Sequence, residues 1–281
     1  MQGIELDGAH SQHHDSLTVT HFSTEPTCPR FLLDEYRQRF IGKFDETSGG
    51  GGHYQREAHP KATVAAMITY LDESIGKVVD KIDQLGLAGQ TLIMFTSDNG
   101  PHSAGGNHPD HFDSNGSLRG GKRDLYEGGI RVPLIAYWPG TIAAGSTSDL
   151  ICAFWDFPST ACDLASLAPP KASDGLSIAP TLKNSGEQKR HDHLYWEFYE
   201  QGGKQAVRAG KWKAIRLNVG KHPNGPLELY DLNADIGERN NLASQHPDIV
   251  QRMANIMAQE HTPSEMISFA SGKSKKKKAN R

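Results

Sequence analysis

The sequence lacks the features that mark membrane, disulfide-rich and nucleic-acid-binding proteins. No apolar run approaches the roughly 18 residues that a membrane-spanning helix requires. The three cysteines, Cys28, Cys152 and Cys162, form no dense disulfide framework and show no zinc spacing, so we expect buried free thiols. With 30 basic and 33 acidic residues, the net charge of −3 gives no bias toward nucleic acid or membrane surfaces.

The two ends of the chain carry no clear fold signal. Residues 1–14 have neither the basic nor the apolar region of a signal peptide, so we expect the chain as written to be soluble and not exported. Residues 271–281 form a basic, low-complexity tail that is typical of disordered sequence. Residues 1–52 form an arm without a sustained period, and its histidines fit either a metal-binding segment or a disordered terminus: His10, His13, His14 and His21.

Alternating helix and strand patterns predict an α/β domain over residues 53–190. Its clearest signal is a set of apolar residues that recur at helical spacing from Val64 to Leu85, which predicts an amphipathic helix whose apolar stripe belongs to the core. The predicted elements are helices over 31–44 and 61–86, strands over 91–96 and 131–137, and a helix that begins at Asp156.

From about residue 191 the pattern changes to short apolar runs separated by glycine turns. This change predicts a second unit over residues 191–270, made of a small sheet and a final helix. The predicted strands cover 194–198, 205–208, 212–216 and 227–230, and the predicted helix covers 247–259.

The stretch between the strands at 91–96 and 131–137 carries the most chemical information. Asp98 and Asn99 follow the first strand directly, and ligands of open α/β sheets bind at the carboxyl ends of strands. Their side-chain oxygens suit a hard cation such as calcium or magnesium, although Asp and Asn also serve as turn caps. Lys122 follows on a glycine-rich turn, where it is either an anion-binding group or a surface lysine.

Two motifs in this stretch, SDNG at 97–100 and LRGGKRDLYEGGIRVPLIAYWPG at 118–140, resemble the second half of the catalytic domain of the sulfatases. These are sulfate-ester hydrolases of the alkaline phosphatase superfamily, and the likeness is closest to bacterial arylsulfatase-type enzymes. It implies an α/β, alkaline-phosphatase-like sandwich with a partly missing mixed or parallel sheet, closed by a small antiparallel sheet and helix. The likeness covers about residues 55–260 and includes further matches at 65–72, 174–177 and 229–232.

The resemblance also implies roles for single residues. Asp98 and Asn99 would complete a calcium site whose other aspartates are not identifiable in this chain, and Lys122 would contact a sulfate oxygen and the leaving-group oxygen. Gly128 and Gly129 would permit close backbone packing, and Arg131 would pair with an acidic neighbour. Four polar residues of the loop above the metal either shape the substrate pocket or remain exposed: His102, His108, Asp110 and His111.

The sequence departs from the family at the nucleophile. Sulfatases use a formylglycine made in a C-x-P-S-R motif, which these 281 residues do not contain. Cys28-Pro29-Arg30 lacks the intervening residue, and His21 is only a remote match for the family's later histidines. We therefore expect the C-terminal portion of a sulfatase, in which a partner or the missing N-terminal half covers an exposed sheet edge.

Three functions follow from this sequence. The first is hydrolysis of sulfuric esters, either aryl sulfates or sulfated glycans, at a calcium-dependent site that is incomplete in this chain alone. The second is a catalytically inactive remnant that binds calcium or a sulfated glycan. The third is a phosphoryl hydrolase of the same superfamily, against which the YEGGIRVP run argues. None of the three involves a nucleic-acid or membrane partner.

Overall fold

The structure is a computed structural model that describes residues 30–40, 49–51, 54–103, 107–264 and 268–269. The four histidines of the arm, Cys28 and the basic tail lie outside these ranges, whereas residues 30–40 and 49–51 of the arm form a helix and a short strand. None of the described helices is long and apolar enough to cross a membrane. Cys152 and Cys162 are free thiols as expected, but both are half-buried rather than buried.

The described residues form six α-helices and eight short strands. The α-helices are α1 (Arg30–Phe40), α2 (Pro60–Gln84), α3 (Glu127–Ile130), α4 (Asp156–Leu164), α5 (Ala179–Leu182) and α6 (Pro247–Glu260). The strands are β1 (Gly49–Gly51), β2 (Tyr54–Glu57), β3 (Ile93–Thr96), β4 (Leu134–Tyr137), β5 (Leu194–Phe198), β6 (Lys204–Ala209), β7 (Trp212–Leu217) and β8 (Leu227–Asp231). These strands pair antiparallel as β1-β2, as β3-β4 and as the sheet β5-β6-β7-β8.

Helix α2 packs against α1 through its first turns. A proline occupies its first position, where the missing amide hydrogen has no helical partner to lose. Leu32 and Leu33 of α1 enclose Ala66 of α2, and Tyr36 Oη lies 2.6 Å from Thr69 Oγ1. These contacts hold the two helices together at one end of α2.

The rest of the apolar stripe of α2 is not buried, which corrects the expectation from the sequence. Ile68 is 62% exposed and Leu85 is 51% exposed. The physical reason is that α1 has 11 residues against 25 in α2, so α1 covers only the start of the longer helix. The buried residues of α2 are Pro60, Ala62, Thr63 and Ala66.

Strands β3 and β4 form an antiparallel ladder in which Ile93 faces Tyr137 and Thr96 faces Leu134. Alternating helices and strands predict parallel neighbours, but the described residues between β3 and β4 hold only a 3-10 turn at Pro109–His111 and the four-residue α3, and no long crossover helix. The chain therefore returns in the opposite direction. The ladder leaves apolar side chains uncovered, and Ile135 is 58% exposed.

The predicted C-terminal strands and helix are confirmed, and each bound differs from the prediction by at most one residue. Both faces of the sheet are covered. On one face Met253 and Met257 of α6 pack against Val207, Ala214 and Leu229 of the sheet. Each of these side chains except Ala214 contributes about 1.5–3 kcal/mol by leaving water. On the other face, apolar residues of the sheet contact the segment that precedes α3: Ile215 and Tyr230 against Leu125 and Tyr126.

A buried lysine joins the sheet to α3. Lys213 Nζ in β7 lies 2.8 Å from Glu127 Oε1 and 3.0 Å from Glu238 Oε1, and the three side chains are at most 2% exposed. The Glu127 amide donates to Glu238 Oε2 at 2.6 Å. Burial raises the pKa of Glu238, and the Lys213 charge opposes this rise. Arg208 and Arg131 lie 3.6 Å and 3.5 Å from Glu127 Oε2, which confirms an acidic partner for Arg131.

We expect Lys213→Met to lower the free energy of unfolding by about 3–5 kcal/mol, because it leaves two buried carboxylates without their ammonium partner. Urea denaturation of the full chain measures this loss. The matched control is Lys211→Met, since Lys211 is 46% exposed in its pair with Asp231 and should change stability far less. Equal losses in the two variants would contradict a special role for the buried network.

Candidate active site

Asp98 and Asn99 lie in the loop that follows β3. Asp98 is exposed and Asn99 is half-buried, and the Ser97 hydroxyl donates to the Asn99 carbonyl oxygen at 2.8 Å. Within the described residues, neither the Asp98 carboxylate nor the Asn99 amide has a hydrogen-bond or ion-pair partner. Both side chains therefore present oxygens that are available to a ligand.

The turn that carries Lys122 lies directly against this loop. The Lys122 amide donates to the Pro101 carbonyl oxygen at 2.9 Å, and the Gly100 amide donates to the Gly129 carbonyl oxygen at 2.9 Å. Two segments that are separated by about twenty residues in sequence thus form one surface. The structure brings together the backbone positions of Asp98, Asn99 and Lys122, the three residues that sequence analysis selected.

Glycines permit this approach. A Cβ atom on Gly100 would lie 1.7 Å from the Gly128 carbonyl oxygen, and one on Gly128 would lie 2.5 Å from the Arg119 carbonyl oxygen. Gly129 is equally close to the Asp124 carbonyl oxygen, at 2.2 Å from a built Cβ. The predicted close packing at Gly128 and Gly129 is confirmed.

The charges around the turn leave one cation available. Arg123 Nε lies 3.7 Å from Glu200 Oε2, and Lys204 Nζ lies 2.9 Å from Asp124 Oδ1. Lys122, which is half-buried, has no acidic partner within the part of the chain that the structure describes. Its ammonium group is therefore the one of these three cations that is suited to an external anion.

His102 lies near the charges of Lys122 and Arg123. Burial lowers the pKa of His102, and the charges of Lys122 and Arg123 lower it further. A neutral imidazole near Lys122 is the consequence at neutral pH. The other polar residues that the sequence placed in this loop, His108, Asp110 and His111, are exposed.

The described residues contain no group of three or more His, Cys, Asp or Glu side chains that could hold a metal ion. Asp98 and Asn99 nevertheless have the ligand type that a hard cation prefers, because both offer side-chain oxygens that have no other partner among the described residues. Calcium takes about six to eight oxygen ligands, so these two residues could supply only part of a shell.

Sequence reasoning missed the residues that support the turn from the C-terminal sheet. Lys204, Lys213 and Glu238 are buried charged residues, and each has a partner that lies 80 or more positions earlier in the chain. The sequence does indicate that Lys213 is buried. Lys213 and Ile215 are two residues apart in a strand, so both side chains lie on the same, apolar face. The acidic partner of Lys213 has no such signal.

Two family models match this chain. The model of the sulfatase family matches residues 8–167, more than half of the chain. The chain belongs to the sulfatase family. A second model, described as N-sulphoglucosamine sulphohydrolase, C-terminal, matches residues 120–262. The two matches overlap across the Lys122 turn and α3, where the C-terminal sheet meets the site.

Curated relatives of this sulfatase are longer proteins. Arylsulfatase A of Bos taurus is 35% identical over 191 residues, which are 61% of this chain and 37% of the relative. The N-acetylgalactosamine-6-O-sulfatase of Bacteroides thetaiotaomicron is 30% identical over 232 residues, which are 73% of this chain and 44% of the relative. The chain spans about two fifths of the length of these relatives.

The solved structures that resemble this sulfatase include BT4656 in complex with its substrate D-glucosamine-2-N,6-O-disulfate. The two share 27% identity at a TM-score of 0.55 over 70% of this chain and 38% of that chain. The α/β, alkaline-phosphatase-like fold that the sequence predicted is thereby confirmed.

We expect Gly100→Ala to separate the loop after β3 from α3, because the added methyl group would overlap the Gly128 carbonyl oxygen. The cost should be about 1–3 kcal/mol, and hydrogen exchange at the Lys122 amide should rise. Gly89→Ala is the control, since a Cβ there meets nothing within 4 Å. A Gly100 variant that behaves like the Gly89 variant would show that this close packing is not required.

Proposed function

We propose that this sulfatase chain supplies the Lys122 side of an active site that hydrolyses sulfate esters with bound calcium. The observation that carries the proposal is the 2.9 Å hydrogen bond from the Lys122 amide to the Pro101 carbonyl oxygen. This bond places the backbone of Lys122 beside the loop of Asp98 and Asn99, and its ammonium group has no acidic partner among the described residues. A cation next to hard oxygen ligands suits an anionic sulfate group.

Lys122 acts on the leaving group in this proposal. As the bond between sulfur and the ester oxygen lengthens, negative charge moves onto the departing oxygen. A positioned ammonium stabilises that charge more in the transition state than in the ground state, and this difference is what accelerates the reaction. Because Lys122 is partly shielded from solvent, the attraction is stronger than it would be in bulk water.

Asp98 and Asn99 hold the calcium ion in this proposal. Sulfatases are generally metal-dependent, and the two side chains offer a carboxylate and an amide oxygen. A bound calcium ion supplies positive charge against the sulfate oxygens. In this proposal the remaining ligands come from outside the described residues, which contain no group of three or more His, Cys, Asp or Glu side chains that could hold a metal ion.

The relatives support a substrate class for this proposal. The Bacteroides relative is an N-acetylgalactosamine-6-O-sulfatase, and BT4656 was solved with a sulfated glucosamine as its substrate. Arylsulfatase A is a further relative. We therefore assign sulfated sugars or aryl sulfates as the substrates.

The uncovered apolar surface of α2 and β3-β4 supports a larger assembly. Ile68, Ile135 and Leu85 are each more than half exposed, and the pair β3-β4 has both outer edges unpaired among the described strands. Such surfaces bind further strands or helices. We propose that the part of a sulfatase domain that this chain does not match covers this surface and brings the nucleophile.

The alternative is a binding protein without turnover, since the sequence contains no C-x-P-S-R motif. It predicts metal or sulfated-glycan binding that is never followed by hydrolysis. The experiments below separate the two functions.

Calcium binding should be weak and should depend on Asp98. Asp98→Ala should abolish the heat of calcium binding in titration calorimetry of the full chain, because the carboxylate is the only charged oxygen donor that we assign to the site. Asp110→Ala, at an exposed position of the neighbouring loop, is the matched control. An equal heat in wild type and in the Asp98 variant would show that calcium binds elsewhere.

Lys122→Ala should lower turnover by about two to three orders of magnitude in an enzyme that joins this chain to an upstream sulfatase segment with the C-x-P-S-R motif. KM should change little, because the contact strengthens in the transition state. The loss should shrink for substrates with acidic phenol leaving groups, which need less stabilisation. Rates for a series of aryl sulfates measure this dependence.

The controls for this experiment are Lys171→Ala, at an exposed lysine, and the unjoined chain. We expect wild-type rates from the first and no hydrolysis of nitrophenyl sulfate from the second, because a site without its nucleophile retains only binding and electrostatic contributions. Parallel assays with aryl phosphates test for a phosphoryl hydrolase. Wild-type turnover in the Lys122 variant would identify Lys122 as a surface residue.

A further inference from the structure

Lys204 lies at the start of β6, in the C-terminal sheet, but its ammonium group contacts the turn that carries Lys122. Lys204 Nζ donates to the Arg123 carbonyl oxygen at 2.8 Å, to Asp124 Oδ1 at 2.9 Å and to Gln201 Oε1 at 2.9 Å. An ammonium group has three hydrogens, so its donor capacity is filled. The side chain is only 10% exposed, which limits competition from water.

These contacts connect Lys204 to residues on both sides of Lys122 in the sequence. Asp124, whose Oδ1 accepts from Lys204, also accepts from the Gly121 amide through Oδ2 at 3.2 Å. Lys204 is therefore linked to the residue before Lys122 through Asp124, and to the residue after it through the Arg123 carbonyl oxygen. One ammonium group is therefore connected to the turn on both sides of Lys122.

The backbone conformation of the turn requires such support. Arg123 has a φ of 79°, in the left-handed region that costs a residue with a side chain about 1–3 kcal/mol. Contacts elsewhere must hold a residue in this conformation. The hydrogen bond from Lys204 to the Arg123 carbonyl oxygen stabilises the backbone of Arg123 directly.

Lys204 is itself held in place. In the sheet it pairs with Leu217 of β7, and its ammonium group lies 5.5 Å from the centre of the Phe198 ring. Its pairing with Asp124 also balances its charge, so it does not compete with Lys122 for an anion. A rigid, neutralised lysine at this place is suited to position a neighbour and not to bind substrate.

We propose that Lys204 is a positioning residue that fixes the Lys122 turn from the C-terminal sheet. The catalytic consequence rests on the proposed function of Lys122, whereas the positioning can be tested without any activity. The conservative variant Lys204→Arg keeps the charge and the donors, and Lys204→Met removes both at similar length. Lys211→Met removes an exposed lysine from the turn between β6 and β7 and is the control.

Hydrogen exchange of the full chain tests the positioning. In Lys204→Met the amides of Gly121, Lys122 and Asp124 should exchange about tenfold faster, while the amides of β6 and β7 keep their rates. Lys204→Arg should restore slow exchange, and Lys211→Met should leave it unchanged. Unaltered exchange in the turn, or an equal rise throughout the sheet, would overturn the proposal.

A double-mutant cycle in the joined enzyme tests the catalytic consequence. Lys204→Met should lower turnover at least tenfold with the same leaving-group dependence as Lys122→Ala, and adding it to Lys122→Ala should cause no further loss. Fully additive losses would overturn the proposal, since Lys204 would then act independently of Lys122. Wild-type turnover in Lys122→Ala together with faster exchange in Lys204→Met would instead refute the proposed function while the positioning stands.

Discussion

The ammonium group of Lys213, buried between Glu127 and Glu238, is the contact on which the rest of the structure depends. It joins β7 to α3 at a point where none of the three side chains is more than 2% exposed. Removing charges from water is costly, and the cost is recovered only when the opposite charges meet at close distance. The network therefore tolerates one arrangement of the sheet against α3, and this requirement sets where the Lys122 turn lies.

Other contacts between the sheet and this segment follow from the same arrangement. Arg119 lies 3.8 Å from the centre of the Tyr126 ring and donates to Tyr230 Oη at 2.9 Å. The Tyr126 hydroxyl donates to Glu228 at 2.7 Å, and the Tyr230 hydroxyl donates to the same carboxylate oxygen. The C-terminal sheet thus acts as a platform for the segment from Arg119 to Ile130 and supplies none of the proposed reacting groups itself.

Local features of this protein could be predicted from its sequence, and non-local ones could not. Periodicity and turn residues located the strands and helix of the C-terminal sheet, because these depend on neighbours in the chain. The SDNG loop and Lys122 were selected because their residue types and order are informative in themselves. The prediction that the apolar stripe of α2 is buried was wrong. Burial depends on which elements cover Ile68 and Leu85, and the sequence of the helix does not indicate those elements.

The direction of β4 and the support of the turn have the same explanation. A strand carries no sign of whether its neighbour runs parallel, so the antiparallel pairing of β3 with β4 is visible only in the folded chain. Buried charges such as Lys213 look like surface lysines until their partners are known, and those partners are distant in the sequence.

The separation of Glu127 and Lys213 in the sequence has a consequence for folding during synthesis on the ribosome. Lys213 is synthesised 86 residues after Glu127, and Glu238, which accepts from the Glu127 amide, is synthesised 111 residues after it. During that time two apolar residues beside it, Leu125 and Tyr126, have no sheet to cover them. The segment that carries the proposed catalytic lysine is therefore among the last to reach its final form, and a nascent chain that stalls before Glu238 would present it to chaperones and proteases.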